Sequence, residues 1–158
     1  MSLRPLPLPA DVAGRVWLSS MPGRFEPWER FVADARAAGV TRVVCLTPLH
    51  ELQGVSPDYH RALEGDTFPF GWIHLPMRDF GVAFEADAFK SGVAQLAQAV
   101  RGGDSLLLHC AAGIGRTGTV AACLLKALGL PGDDALQRVR RAGSNPQSAL
   151  QSGLIEQF

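Results

Sequence analysis

Cysteine is scarce in this chain: Cys45, Cys110 and Cys123 are all there are. Three thiols are too few for a disulfide framework, and a reducing, cytoplasmic setting is expected. No apolar run reaches the length of a membrane span. Neither sign of charge is in excess, since 15 basic residues meet 15 acidic ones for a formal net charge of zero. That balance argues against general nucleic-acid binding, which needs a basic footprint. The opening stretch MSLRPLPLPA lacks the continuous apolar segment of a signal peptide. It reads as an extended lead-in covering residues 1–14. Lysine is nearly missing, two residues against 13 arginines, and no function is assigned to that bias. Repeats, low-complexity tracts and linkers are absent too.

What remains is a chain of 158 residues, 47% hydrophobic and 19% charged, enough for one domain with its own core. Arg15 to Ser19 reads as a short strand stopped by Pro22-Gly23. Trp28, Phe31, Val32 and Ala35 recur at helical spacing between Pro27 and Ala38. Thr41 to Leu46 is a compact apolar run suited to a buried strand. Ser56-Pro57 supplies an N-cap and a first-turn proline for a short helix ending near Leu63. Phe70 to Leu75 reads as another strand, followed by a loop from Pro76 to Phe84. Helical spacing returns from Ala86 to Val100, with Phe89, Val93, Leu96 and Val100 on one face. Ser105 to Leu108 has the pattern of the most buried strand. Arg116 to Leu128 follows as an apolar helix with Gly129 as its C-cap. Pro131 starts a helix ending near Gly143, and Asn145-Pro146 starts the last one. Strands alternating with helices predict an α/β fold, a single-domain three-layer sandwich over residues 15–158. Its central, mainly parallel sheet should hold about four to five strands flanked by helices.

Between the buried strand and the apolar helix lies His109-Cys110-Ala111-Ala112-Gly113-Ile114-Gly115-Arg116-Thr117-Gly118. Cysteine and arginine with five residues between them are weak evidence alone in a chain with three cysteines and 13 arginines. Its context carries the weight. Gly113, Gly115 and Gly118 allow tight turning and close backbone approach. A loop that opens a helix points successive backbone N–H groups at an anion. Residues Ala111, Ala112, Gly113, Ile114, Gly115 and Arg116 are therefore the expected phosphate-binding set. The same dipoles, with Arg116, would stabilise a Cys110 thiolate as a nucleophile. Arg116 can hold two phosphate oxygens through its planar fork. Thr117 can donate its hydroxyl to the sulfur. A structural cysteine beside a glycine turn would leave the glycines and arginine without purpose. The nucleotide-binding loop fits poorly as well, because Gly-Arg-Thr stands where that motif needs Gly-Lys-Ser/Thr.

The segment HCAAGIGRTG resembles the signature of the protein tyrosine phosphatase superfamily, matched at His109, Cys110, Gly113, Arg116 and Thr117. More narrowly, the chain resembles the compact dual-specificity group, particularly the cyclin-dependent-kinase-associated phosphatases. That likeness also rests on Ser20-Met21-Pro22-Gly23, on Glu51-Leu52, on His74 to Asp79 and on the C-terminal glutamines. It implies a cysteine-dependent phosphatase that hydrolyses phosphate monoesters through a phosphocysteine intermediate. Asp79 is the candidate proton donor, 31 residues before Cys110 and just beyond a strand whose end should share a rim with the loop. The family's mobile-loop aspartate holds this position, and Gly81 would permit movement. Glu85 and Asp87 compete, but they begin a helix, where acidic residues commonly serve the dipole. Gln147 and Gln151 are four apart and share a helical face. The resemblance implies that such a pair helps position the attacking water. His109 is expected to organise the loop by hydrogen bonding to its backbone.

His50, His60 and His74 do not form metal-ligand spacing, so no metal and no cofactor are expected. Cys123 reads as core and Cys45 as a buried thiol, with a protective Cys45–Cys110 disulfide the lesser alternative. Three other functions compete with hydrolysis of phosphoproteins. They are a silent phosphopeptide-binding module, rhodanese-like sulfur transfer, and a phosphatase for a phospholipid or small metabolite. The neutral loop positions Ala111, Ala112 and Ile114 favour a phosphorylated protein or simple monoester over a polyanion. No segment corresponds to a phosphotyrosine-recognition loop, so a shallow pocket should admit phosphoserine and phosphothreonine with phosphotyrosine. A monomer is expected, without nucleic-acid partners.

Overall fold

Ser105-Leu-Leu-Leu-His109 is buried at every position, and a strand of that kind must be covered on both faces. In the computed structural model, which describes residues 3–77, 86–146, 155, 156 and 158, it is the central strand of a five-stranded sheet. In chain order the elements are β1 (Arg4–Pro5), β2 (Arg15–Ser19), α1 (Trp28–Ala37), β3 (Arg42–Cys45), α2 (Leu49–Val55) and α3 (Pro57–Glu64). They continue with β4 (Gly71–His74), α4 (Ala86–Arg101), β5 (Ser105–His109), α5 (Gly115–Ala127) and α6 (Gly132–Arg141). The sheet runs β1-β2-β5-β3-β4, with β2, β5, β3 and β4 parallel and β1 antiparallel on the edge. This is the three-layer α/β sandwich that the alternation of patterns predicts.

Side chains alternate across the sheet as the pleat requires. Leu106 and Leu108 face the cluster formed with Phe89, Val93, Leu96, Val120, Leu124 and Val139 of α4, α5 and α6. Leu107 and Val43 face the opposite cluster, built with Phe31 and Ala35 of α1, Leu52 of α2 and Tyr59 of α3. Residues Gly115 to Leu125 of α5 are all buried, which is why that helix shows no polar face. Among the described residues no helix is long and apolar enough to cross a membrane.

Several local expectations change. The stretch read as a lead-in contributes β1, and Leu3 and Leu6 beside it are buried. Proline is tolerated there because the strand lies on the sheet edge. Helix α2 had no visible periodicity, since Leu52 is its one buried residue. Ser56 stands at the N-cap of α3, but its hydroxyl donates to the Pro22 carbonyl at 2.7 Å and makes no cap hydrogen bond. Most of the expected loop from Pro76 to Phe84, and nearly all of the last expected helix, lie outside the described residues.

Parallel pairing of Arg42 with Leu106 and with Gly71 brings the C-terminal ends of β5, β3 and β4 to one rim. In open parallel sheets that rim is where ligands bind. The chain leaves β5 there, directly into Cys110.

Candidate active site

At the end of β5 the chain must turn within six residues into the fully buried start of α5. Gly113 makes this possible with φ of +78°, a conformation side chains rarely adopt. A Cβ there would lie 2.5 Å from the Ser19 carbonyl, so only glycine fits against β2.

The turn gathers donors around one sulfur. Thr117 donates its hydroxyl to Cys110 Sγ at 3.1 Å, and the Gly113 N–H donates at 3.2 Å. Cys110 itself is 2% exposed at the head of α5, where helix geometry leaves N–H groups unpaired and favours negative charge. Its two fellow thiols are differently placed. Burial pushes Cys45 up from the ordinary thiol range, against its hydrogen bonding with Thr47, and pushes Cys123 up to about 12. Both are therefore protonated and inert at neutral pH. All three cysteines are free, so Cys45 and Cys110 form no disulfide here.

Arg116 is buried behind the loop and oriented from two sides. Its Nη1 donates to Glu51 Oε2 at 2.8 Å and to the Met77 carbonyl at 3.1 Å. A buried guanidinium without a carboxylate would be costly, and Glu51 supplies one from α2. Glu51 had no role assigned from sequence. The available signal was its position just past the C-terminal rim of β3.

His109 is fully buried and its surroundings fix its tautomer. Trp72 Nε1 donates to the Tyr59 oxygen at 2.9 Å, and Tyr59 donates to His109 Nε2 at 2.8 Å. The Cys110 carbonyl, 3.2 Å from Nδ1, can only accept, so Nδ1 carries the proton and the bare Nε2 takes the Tyr59 hydroxyl. Burial, and after it the charges of Arg116 and His74, lower the His109 pKa to about 4, against the Cys110 carbonyl's hydrogen bond. The ring is neutral at pH 7 and holds the first carbonyl of the loop. Tyr59 and Trp72 were not among the residues singled out from sequence.

Three further loop carbonyls have donors of their own. Met21 N–H and Arg24 Nη1 donate to Ala111 O at 3.1 and 2.9 Å. Gly118 and Asn145 N–H donate to Ile114 O at 2.8 and 3.1 Å. Arg4 Nη2 and Ser144 Oγ donate to Gly113 O at 2.5 and 2.6 Å. Ala112 and Ile114 are exposed at the loop's surface, and Ala111 is half-buried. Of the residues expected in the site, His109, Gly113 and Thr117 hydrogen-bond to Cys110, and Arg116 lies buried against Glu51 and Met77. Asp79, Gln147 and Gln151 lie outside the described residues.

The chain matches the family model described as Swiss Army Knife protein, DSP-PTPase phosphatase domain, over residues 17–152. It is 32% identical over 106 residues to protein 067L of Invertebrate iridescent virus 3, whose name proposes a tyrosine phosphatase. That match takes in 65% of this chain and 40% of the viral protein, so the chain spans less than half the length of this curated relative. Among solved structures it is similar to kinase associated phosphatase with its catalytic-site cysteine replaced by serine. The TM-score is 0.83 at 19% identity, over 99% of this chain and 92% of that one, a likeness of fold. The active form of Tk-PTP gives a TM-score of 0.71 at 28% identity, over 94% of this chain and 95% of that one.

Proposed function

Since the chain belongs to the dual-specificity phosphatase family of the protein tyrosine phosphatase superfamily, we propose that it hydrolyses phosphate monoesters with Cys110 as nucleophile. The observation that carries this reading is the convergence of the Thr117 hydroxyl and Gly113 N–H on Cys110 Sγ at the head of α5. Donors so arranged favour a thiolate, and the adjoining N–H groups favour the anion it attacks.

In the first displacement the sulfur lone pair forms an S–P bond while the P–O bond to the leaving group breaks. Arg116 and the loop amides hold the non-bridging oxygens as charge shifts onto them. Asp79 gives its proton to the departing oxygen. Support for Asp79 comes from the Met77 carbonyl, which accepts from Arg116 only two residues earlier in the chain. In the second displacement Asp79 takes a proton from water, the water oxygen bonds to phosphorus, and the S–P bond breaks. Thr117 donates to the departing sulfur. Gln147 and Gln151 would align that water, and His109 holds the loop rather than transferring protons.

The substrate class is a phosphorylated protein, on tyrosine, serine or threonine. Ala111, Ala112 and Ile114 offer no charge to a polyanion, which favours this class over inositol polyphosphates. A reducing, cytoplasmic compartment and a monomeric state belong to the same reading. Hydrolysis of a small aryl phosphate tests the chemistry. Activity should persist in EDTA, because Arg116 and the amides carry the charge, and Cys110→Ser should abolish it. Turnover that survives in the purified serine variant would overturn the proposal.

A further inference from the structure

A trans peptide points its C=O and N–H in opposite directions. The loop can therefore aim its amides inward only while its carbonyls are turned outward, and buried carbonyls need partners. His109 holds Cys110 O from inside the loop, backbone N–H groups hold Ile114 O, and Met21 N–H together with Arg24 holds Ala111 O. Gly113 O is different. Both its donors are side chains from distant segments, Arg4 Nη2 at 2.5 Å and Ser144 Oγ at 2.6 Å. The peptide they hold carries the Ile114 N–H, which is thereby aimed into the loop. Gly113, at φ of +78°, is the residue least able to resist rotation of that peptide by itself.

Arg4 is built into this place. Its Nη1 donates to Ala142 O at 2.6 Å and to Ser144 Oγ at 3.0 Å, tying the loop to the turn after α6. Gly143 leaves it room, since a Cβ there would stand 2.8 Å from Arg4 Nη1. Edge pairing of Arg4 with Leu18 fixes the strand that delivers the guanidinium. Partial burial weakens Arg4's hold on its proton, and the charge of Cys110 opposes that effect.

We propose that Arg4 is a positioning residue for the reaction: β1 carries it against the outer side of the phosphate loop, where its fork locks the Gly113 carbonyl outward and its charge favours the Cys110 thiolate. This rests on the phosphatase reading above. The fork and the charge can be separated with Arg4→Met, which removes both, and Arg4→Lys, which keeps the charge and loses the fork.

Aryl phosphate kinetics and the rate of Cys110 alkylation by iodoacetamide at pH 6 are measured on wild type and both variants, with thermal melting as the fold control. Arg4→Met should lose about tenfold to a hundredfold in kcat, the scale of a misplaced catalytic group, and should alkylate several-fold more slowly. Arg4→Lys should recover the alkylation rate and leave kcat low. A purely structural role would lower melting temperature while leaving kcat per folded molecule and alkylation unchanged, which would overturn the proposal. If Arg4→Met does not fold, Arg4→Lys decides alone: wild-type kcat in that variant overturns it, and a low kcat with normal alkylation supports it. A wild type without turnover overturns the phosphatase reading and this proposal together, whereas an active wild type matched by both variants overturns this proposal only.

Discussion

Around Cys110 Sγ an amide and a hydroxyl converge, while Cys123 sits in the apolar core with its thiol pushed up to about 12 by burial. In the proposed mechanism the Thr117 hydroxyl serves one particular step. When the S–P bond breaks, the sulfur regains its negative charge, and a donor at 3.1 Å offsets it. Thr117→Ala should therefore slow breakdown of the phosphoenzyme more than its formation. Rapid-quench kinetics should show a burst of released alcohol followed by a steady rate about tenfold or more below wild type. Thr117→Ser should restore the steady rate. A loss confined to the burst would contradict this role. His109 makes a second testable statement. Its pKa falls from 6.5 to about 4 on folding, so between those values the unfolded chain binds a proton that the folded one refuses. Stability must then decline as pH falls from 6.5 toward 4, by up to about 3 kcal/mol from this group. Denaturant unfolding at several pH values should show that decline reduced in His109→Gln. An equal slope in the two proteins would remove His109 as its cause.

The elements hold these residues at spacings that their own sequences set. Helix α5 packs so closely on the segment after α6 that a Cβ at Gly118 would lie 2.7 Å from Asn145 N. That same N–H holds the Ile114 carbonyl of the loop. Gly118→Ala should cost about 1–3 kcal/mol in denaturant unfolding, as overpacking does, and lower activity with it. Gly132→Ala, with only the far end of Lys126 at 4.0 Å, should leave both nearly unchanged. Equal stability of the two variants would mean that the α5 contact is soft. The strands and helices with repeated apolar positions were legible in the sequence, because burial follows the period of each element. Helix α2 was not, since one buried leucine makes no period. Strand β1 was not either, because two residues that include proline carry no alternation.

Across the whole molecule, the site is a meeting of segments far apart in the chain. Cys110, the proposed nucleophile, was legible together with Arg116 and Thr117 because one short loop contains them all. Glu51, 65 residues from Arg116, and Arg4, 109 residues from Gly113, were not, because their roles come from which strands become neighbours. Sheet order β1-β2-β5-β3-β4 creates both meetings, setting β1 and β2 to one side of the loop and β3 with its following helix to the other. The Tyr59–His109 contact depends on that packing too, through α3 against the face that carries Leu107. The account's central claim is that all these segments serve one covalent event at Cys110. Acid quenching during turnover of an aryl phosphate, followed by peptide mass spectrometry under conditions that preserve thiophosphate esters, tests it most directly. One phosphoryl group should appear on the peptide containing Cys110, with none on the peptides containing Cys45 or Cys123. A phosphoryl group on another residue, or an unmodified Cys110 in an enzyme that shows a burst of released alcohol, would contradict it.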